Sequence, residues 1–333
     1  MTWKSACCAV QGKSHAKKNI PCQDKVARRE ENDVHVIALA DGAGSAEFSH
    51  YGAECVVNRV TAFVADKFFD LISQEDGNKV KQEILSVALQ ALKDEAEIIN
   101  CELKDLASTL LIAAVRDEKF FLVHLGDGVI GYLNDEGLKV ATTPDNGEFS
   151  NETVFITSSD ASAHMRIYKG NLKNISGFIL MSDGTEQSLY NKRKKTLAPA
   201  VKRLMHRTTL IDGKILTPQL EEALSTVVAD NTQDDCSIAI LARNSAQLPL
   251  LNELPLSERQ QLFQIEGSTA FRRVLKKIFR CDKICAVLEK PLTLRQLARK
   301  LYLKPLQTEK KLQYLLNAGI ISRTIFGYKV VSG

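Results

Sequence analysis

Three short apolar runs in this chain stop on the same dipeptide. "VIALADG" spans 36–42, "VHLGDG" spans 123–128 and "ILMSDG" spans 179–184, so Asp41, Asp127 and Asp183 each end a run and each precede a glycine. A fourth run, "TQDDCSIAIL" (232–241), is entered through Asp234 and Asp235, and Asp24 lies in "PCQDK". Runs this short, aliphatic and bounded by Gly, Asp or Asn read as strands. One Asp-Gly at a strand end is ordinarily a turn, because glycine accepts positive φ and aspartate caps the bend. Four such acids against the strongest strands ask for more than turns. In a sheet, strand ends converge, and several carboxylates then share one edge. Like charges at that density repel unless they are protonated or neutralised by a metal. Oxygen donors without His or Cys point to Mg²⁺ or Mn²⁺ rather than zinc.

The rest of the first 243 residues supports this sheet reading. Strand-like runs recur at 33–40, 108–115, 120–126, 128–134, 177–181 and 236–242. Helical patterns occupy 52–75 and 78–104, the latter with Val80, Ile84, Val87, Ala88, Leu92 and Ile98 at helical spacing. Further helices are expected after 196 and from 216, where Thr217, Pro218 and Glu221 suit a helix start. Strands come in groups and helices in pairs. That order favours an α+β fold with largely antiparallel sheets over strict βαβ alternation.

Composition narrows the classes. Of 333 residues, 44% are apolar and 25% charged, as in a soluble globular protein. No stretch approaches the ~18 apolar residues of a membrane span, and the first 18 residues lack a secretory h-region. Eight scattered cysteines form no C-x-x-C, which suits free thiols in a reducing cytoplasm. The net charge of +4 is unevenly spread: residues 1–243 carry net −6 and residues 244–333 net +10. An acidic body with a basic tail implies two domains with different partners. The boundary, "ARNSAQLPLLNELPLSERQ", reads as a linker over 244–268, leaving 1–243 and 269–333 as domains.

The ordered set "CQD … ADGAGS … STLL … HLGDG … MSDG … QDDCS" resembles the type 2C metal-dependent protein serine/threonine phosphatases, in their compact bacterial form, over roughly residues 5–242. The resemblance implies an α/β/β/α sandwich of two antiparallel sheets with metals at one edge. It implies two Mn²⁺ or Mg²⁺ ions, and a third held more weakly. Asp41 would bridge two ions, with the Gly42 carbonyl on one of them and Asp183 and Asp234 on the other. Asp127 would help hold the third, and Asp24 would orient metal-bound water. Paired ions lower the pKa of a shared water, which would attack phosphoserine or phosphothreonine without a phosphoenzyme. A phosphoprotein substrate and a cognate Ser/Thr kinase follow as partners.

Departures from the family pattern cluster near the N-terminus. The arginine that grips phosphate in many members is missing from "GKSHAKKNIPCQD"; His15, Lys17 or Lys18 could serve, or be a solvated loop. His15 could also act as general acid, since its pKa range suits that task. Gln23 stands where many relatives have an acid. Segment 143–176 is polar, and Asn151, Glu152 and Thr153 are candidates for a flap beside the site. Cys236 reads as strand filler.

In the tail, "FRRVLKKIFRCDKICAVLEK", "TLRQLARKL" and "LQTEKKLQYLLNAGII" have helical spacing, and "SRTIFGYKVV" reads as a hairpin turning near Gly327. Thr293 and Gln296 form a capping-box pattern. Three helices and a hairpin resemble a winged helix-turn-helix. On its third helix Leu306, Leu312, Leu315 and Leu316 are expected inward, and Gln307, Thr308, Lys310, Lys311 and Tyr314 outward. This basic module could bind DNA, a protein or the catalytic body. Two readings compete: a phosphatase with a targeting or regulatory module, and a DNA-binding regulator whose phosphatase-like part is a sensor.

Overall fold

The structure, a computed structural model, describes residues 3–144, 153–211, 213–243, 255–256, 259–260, 265, 271–288, 290–317, 320–324 and 327–330. The chain forms two compact bodies. One comprises Trp3–Thr208 with Asp212–Ala242, and the other consists mainly of Arg243–Gly333.

The first body contains two five-stranded sheets. One is built from β1 (Trp3–Val10), β6 (Val129–Asn134), β7 (Gly137–Thr142), β9 (Ile175–Met181) and β12 (Cys236–Arg243), in the order β1-β12-β9-β6-β7. The other has the order β2-β3-β4-β5-β8, from β2 (Lys25–Glu31), β3 (Val34–Ala40), β4 (Leu110–Arg116), β5 (Lys119–Leu125) and β8 (Arg166–Asn171). All four ladders of this second sheet are antiparallel, as are β12–β9, β9–β6 and β6–β7 in the first.

Side-chain alternation explains the layering. Along β3, Ile37 and Leu39 join Leu111, Leu180 and Leu241 in a core between the sheets, whereas Val34, Val36, Ala38 and Ala40 join the opposite core. That outer core is closed by α2 (Ser49–Ser73) and α3 (Gly77–Ile99), through residues such as Val56, Val60, Ile84 and Leu92. Burial on both faces makes the central strands read as unbroken apolar runs. On the far side α7 (Gly213–Ala223) packs on β1. The layers are thus helices, sheet, sheet, helix.

Several details differ from expectation. All four edge strands, β1, β2, β7 and β8, lie outside the strand runs read from the sequence. Ile98 is 76% exposed, because the core-facing stripe of α3 runs on through Ala96 and Ile99 and leaves Ile98 off it. Pro218 does not start a helix but lies inside α7, which begins at Gly213. A short helix, α1 (Lys13–Lys18), occupies the segment read as a possible loop and carries Lys17 and Lys18 on its exposed side.

The second body contains the helices Phe271–Val287, Leu294–Lys300 and Pro305–Asn317, followed by an antiparallel hairpin of Ile321–Thr324 and Gly327–Val330. Gly327, at φ +125°, turns the hairpin. The Thr293–Gln296 capping box forms as expected. On the third helix the expected facing is partly wrong. Leu306 is 66% exposed, while Thr308 is fully buried and donates its hydroxyl to the Lys304 carbonyl. Near the helix start a threonine that satisfies itself on the backbone can face inward. Most of the expected linker, with Asn151 and Glu152 of the expected flap and the side chain of Tyr314, lies outside the described residues.

Candidate active site

Strand ends do converge. Asp41 follows β3, Asp127 follows β5, and Asp183 opens α5 (Asp183–Leu189) directly after β9. Asp234 sits just ahead of β12. These four acids, with Gly42 and His15, line one cavity of about 180 Å³. Thr153 and Phe155 close another part of its wall. No Lys or Arg lines it among the described residues, so Lys17 and Lys18 are not brought to the site, whereas His15 is.

Local hydrogen bonds hold each acid in place. The Asp41 N–H donates to Thr109 Oγ1 at 2.9 Å, and the Thr109 N–H returns a bond to the Asp41 carbonyl at 2.8 Å. The loop beyond is strapped on two sides, by Gly42 N–H to the Gln23 carbonyl and Ala43 N–H to the Ala107 carbonyl. A Cβ on Gly42 would stand 2.8 Å from the Ser49 Cβ, so only glycine fits. Gly126, at φ +111°, turns the chain into Asp127. Thr153 Oγ1 donates to Asp127 Oδ2 at 2.6 Å. Where β9 and β12 meet, the Ser237 N–H donates to Ser182 Oγ at 3.0 Å, keeping Asp183 beside Asp234.

Two further acids lie beneath the cavity. Asp24 is 1% exposed, and neither of its carboxylate oxygens has a hydrogen-bond partner of normal geometry. Asp235 is 2% exposed and well satisfied. Its Oδ1 accepts from the Gly12 N–H and its Oδ2 from the Gln23 N–H, both at 2.6 Å. His15 Nδ1 lies 3.0 Å from the same Oδ2, approaching at a bent angle. Sequence reasoning missed this role of Asp235. The doubled acid of "QDDC" was visible, but only the fold shows that the two carboxylates do different work.

Electrostatics bear on what the site would hold. Burial lifts Asp24 to about 7, reinforced by Asp235 and Asp183, although the nearby Ser182 and Ser237 hydroxyls temper the rise. Asp183 is likewise lifted to about 7, by burial and then by Asp127 and Asp234. Asp41 is held well above the carboxylate range by burial and by Asp24, Asp183, Asp127 and Asp234. One oxygen of Asp183 is also buried without a partner. Unpartnered carboxylate oxygens round a cavity with no lysine or arginine fit a hard divalent cation. Among the described residues no three His, Cys, Asp or Glu side chains close on a single point. Cys236 is no nucleophile: burial, then the surrounding acids, push its thiol to about 12.

Comparison with known proteins identifies the family and the fold. A family model described as protein phosphatase 2C matches residues 11–225, and the chain belongs to that family. It is a protein serine/threonine phosphatase. Serine/threonine-protein phosphatase 3 of Escherichia coli (strain K12) is 26% identical over 203 residues, covering 57% of this chain and 77% of that protein. The fold is similar to that of a bacterial serine phosphatase bearing a point mutation, with TM-score 0.51 and 16% identity over 72% of this chain and 98% of the other. It is also similar to the catalytic domain of the serine/threonine phosphatase PstP in complex with two manganese ions, with TM-score 0.50 and 15% identity, covering 72% and 97% of the two chains.

Proposed function

We propose that this phosphatase hydrolyses phosphoserine and phosphothreonine in proteins by attack of a metal-activated water. The observation that carries the reading is the convergence of Asp41, Asp127, Asp183 and Asp234, from four strand ends, on one cavity without lysine or arginine. Asp41 and the Gly42 carbonyl would hold one Mn²⁺ or Mg²⁺, and Asp41, Asp183 and Asp234 a second; Asp127 would help hold a third, weaker ion. Such ions supply positive charge to the phosphoryl oxygens and lower the pKa of bound water. Asp24, buried beneath the cavity, would orient water from below. His15 lines the same cavity and would face the substrate. Lys17 and Lys18 add positive charge outside the cavity.

Hydrolysis of a phosphothreonine peptide is the direct test. Activity should require Mn²⁺ or Mg²⁺, disappear with chelator and return on adding metal. Asp41→Asn and Asp183→Asn should abolish it; a chelator-insensitive rate would overturn the reading. Free phosphorylated small molecules in the same assay distinguish a protein substrate from a small phosphoester.

We further propose a division into a catalytic domain (1–243), a linker (244–268) and a winged-helix-like module (269–333) used for targeting or regulation. Helix order, the hairpin and the exposed cations Lys276, Lys277, Arg280 and Lys283 support this. The same cations favour the second reading, a DNA-binding regulator. Binding of the full chain to duplex DNA across a salt series decides between them, since phosphate contacts give a steep salt slope. The substrate would be made by a Ser/Thr kinase. All eight cysteines are free, which is consistent with a cytoplasmic setting. Among the described residues no helix is long and apolar enough to cross a membrane.

A further inference from the structure

We propose that Asp235 is a positioning residue that sets the His15 ring so that its Nε2 serves the leaving oxygen of the phosphorylated side chain. The proposal rests on the phosphatase reading above and adds a proton donor to it.

Three groups from the N-terminal segment meet on one buried carboxylate. Gly12 and Gln23 donate their backbone N–H groups to Asp235, and His15 brings Nδ1 to 3.0 Å. The chain from residue 12 to residue 23 is thereby tied at both ends to the start of β12, more than 200 positions away in sequence. The Ser14 N–H bond to the Gln233 carbonyl adds another tie, at 3.0 Å. Gly12 lies so close to the Asp234 backbone that a Cβ there would overlap it. His15 therefore sits on a segment with little freedom, and its ring has little freedom within it.

The two ring nitrogens are not equivalent. Nδ1 is buried against Asp235, while the ring forms part of the cavity wall. The nitrogen remote from Asp235, Nε2, is the one left to the cavity. An imidazole oriented by a carboxylate through one nitrogen and presenting the other to substrate is a general arrangement for proton transfer. The bent approach seen here is common before substrate binds and tightens in the complex.

Water oxygen forms its bond to phosphorus while the bond from phosphorus to the seryl or threonyl oxygen breaks. The bonding pair passes to that oxygen, which takes a proton from Nε2 and leaves as a neutral hydroxyl. One proton of the attacking water stays on phosphate and the other returns to the imidazole through solvent.

The test compares a phosphoserine peptide with p-nitrophenyl phosphate at saturating Mn²⁺. p-Nitrophenolate departs as a stable anion and needs no proton, whereas a seryl oxygen does. His15→Gln should lose at least about a hundredfold more kcat on the peptide than on p-nitrophenyl phosphate, the lower end of general-acid contributions. Asp235→Asn should show the same selective loss, and the double variant should be no slower than His15→Gln alone. Equal losses on both substrates, or additive losses in the double variant, would overturn the proposal. Should Asp235→Asn fail to fold, ¹⁵N spectra of the unaltered metal-free protein decide. The neutral His15 ring should carry its proton on Nδ1, and a proton on Nε2 would overturn the assignment. An unaltered protein inactive on both substrates would instead overturn the underlying phosphatase mechanism.

Discussion

Thr153 Oγ1 donates a 2.6 Å hydrogen bond to Asp127 Oδ2 and so joins the segment after β7 to the acid at the end of β5. That hydroxyl occupies the carboxylate oxygen that a cation would use. Thr153→Val should therefore tighten the weakest Mn²⁺ binding step severalfold, about 1 kcal/mol for one hydrogen bond released. Calorimetric titration of the metal-free protein with Mn²⁺ measures this. Weaker binding in the variant would show that Thr153 helps the ion instead of competing with it.

Burial, and then four other carboxylates, hold Asp41 well above the carboxylate range. Asp41→Asn should abolish metal-dependent hydrolysis and yet raise the melting temperature of the chelator-treated protein at pH 8. Each kcal/mol recovered corresponds to about 2–4 °C for a body of this size. A metal-free variant that melts lower than the parent would contradict the idea that the acids are held against their own repulsion.

Stability of the metal-free protein should depend on pH in a defined direction. Asp24 and Asp183 are lifted to about 7 in the folded chain, above their unfolded values. Over that interval the folded state binds more protons than the unfolded state, so stability falls as pH rises. His124 acts oppositely: burial, then Arg166, lower it to about 3, and its contribution is complete above about 6.5. Urea unfolding in chelator between pH 6.5 and 8 isolates the acids and should show falling stability. With saturating Mn²⁺ the metal's stabilising effect should grow over the same window, because binding requires ionised carboxylates. A flat profile in chelator would remove the acid cluster as its cause.

Gly184 follows Asp183 and packs on the backbone of Asp235, so closely that a Cβ would overlap the Asp235 carbonyl oxygen. Gly184→Ala should push α5 away from the start of β12 and separate Asp183 from Asp234. A loss of about 1–3 kcal/mol is expected for such overpacking, with Mn²⁺ affinity falling alongside. Denaturant melts with a parallel metal titration test this. Unchanged affinity would show that the two acids need not stay together.

The sequence revealed the centre of the fold better than its margins. Central strands β3, β4, β5, β9 and β12 are buried on both faces and stand out as apolar runs. In the two five-stranded sheets, the four missed strands are the four edges. β2, "KVARREE", has only Ala27 fully buried, and its charges suit an edge that must not pair with another chain. Apolar pattern cannot find a strand held mainly by its neighbour's backbone. The cavity acids were legible because each interrupts an apolar run. Asp235 was not, because its partners Gly12, His15 and Gln23 are named only by a contact across the whole domain. Thr308 and Leu306 were assigned to the wrong faces for a related reason: hydropathy gives no hint of a hydroxyl that turns back on its own helix.

The position of β12 bears on how the enzyme comes into being. The last strand of the first body lies between β1, the first, and β9. A growing chain thus carries β1 without its sheet neighbour, and Asp24, Asp41, Asp127 and Asp183 without Asp234, until some 240 residues have been made. Contacts of such long sequence separation form late, because loop closure precedes any gain from them. The four-acid cavity is therefore assembled only once β12 has been made and paired with β9, so every earlier length of chain folds without its final acid.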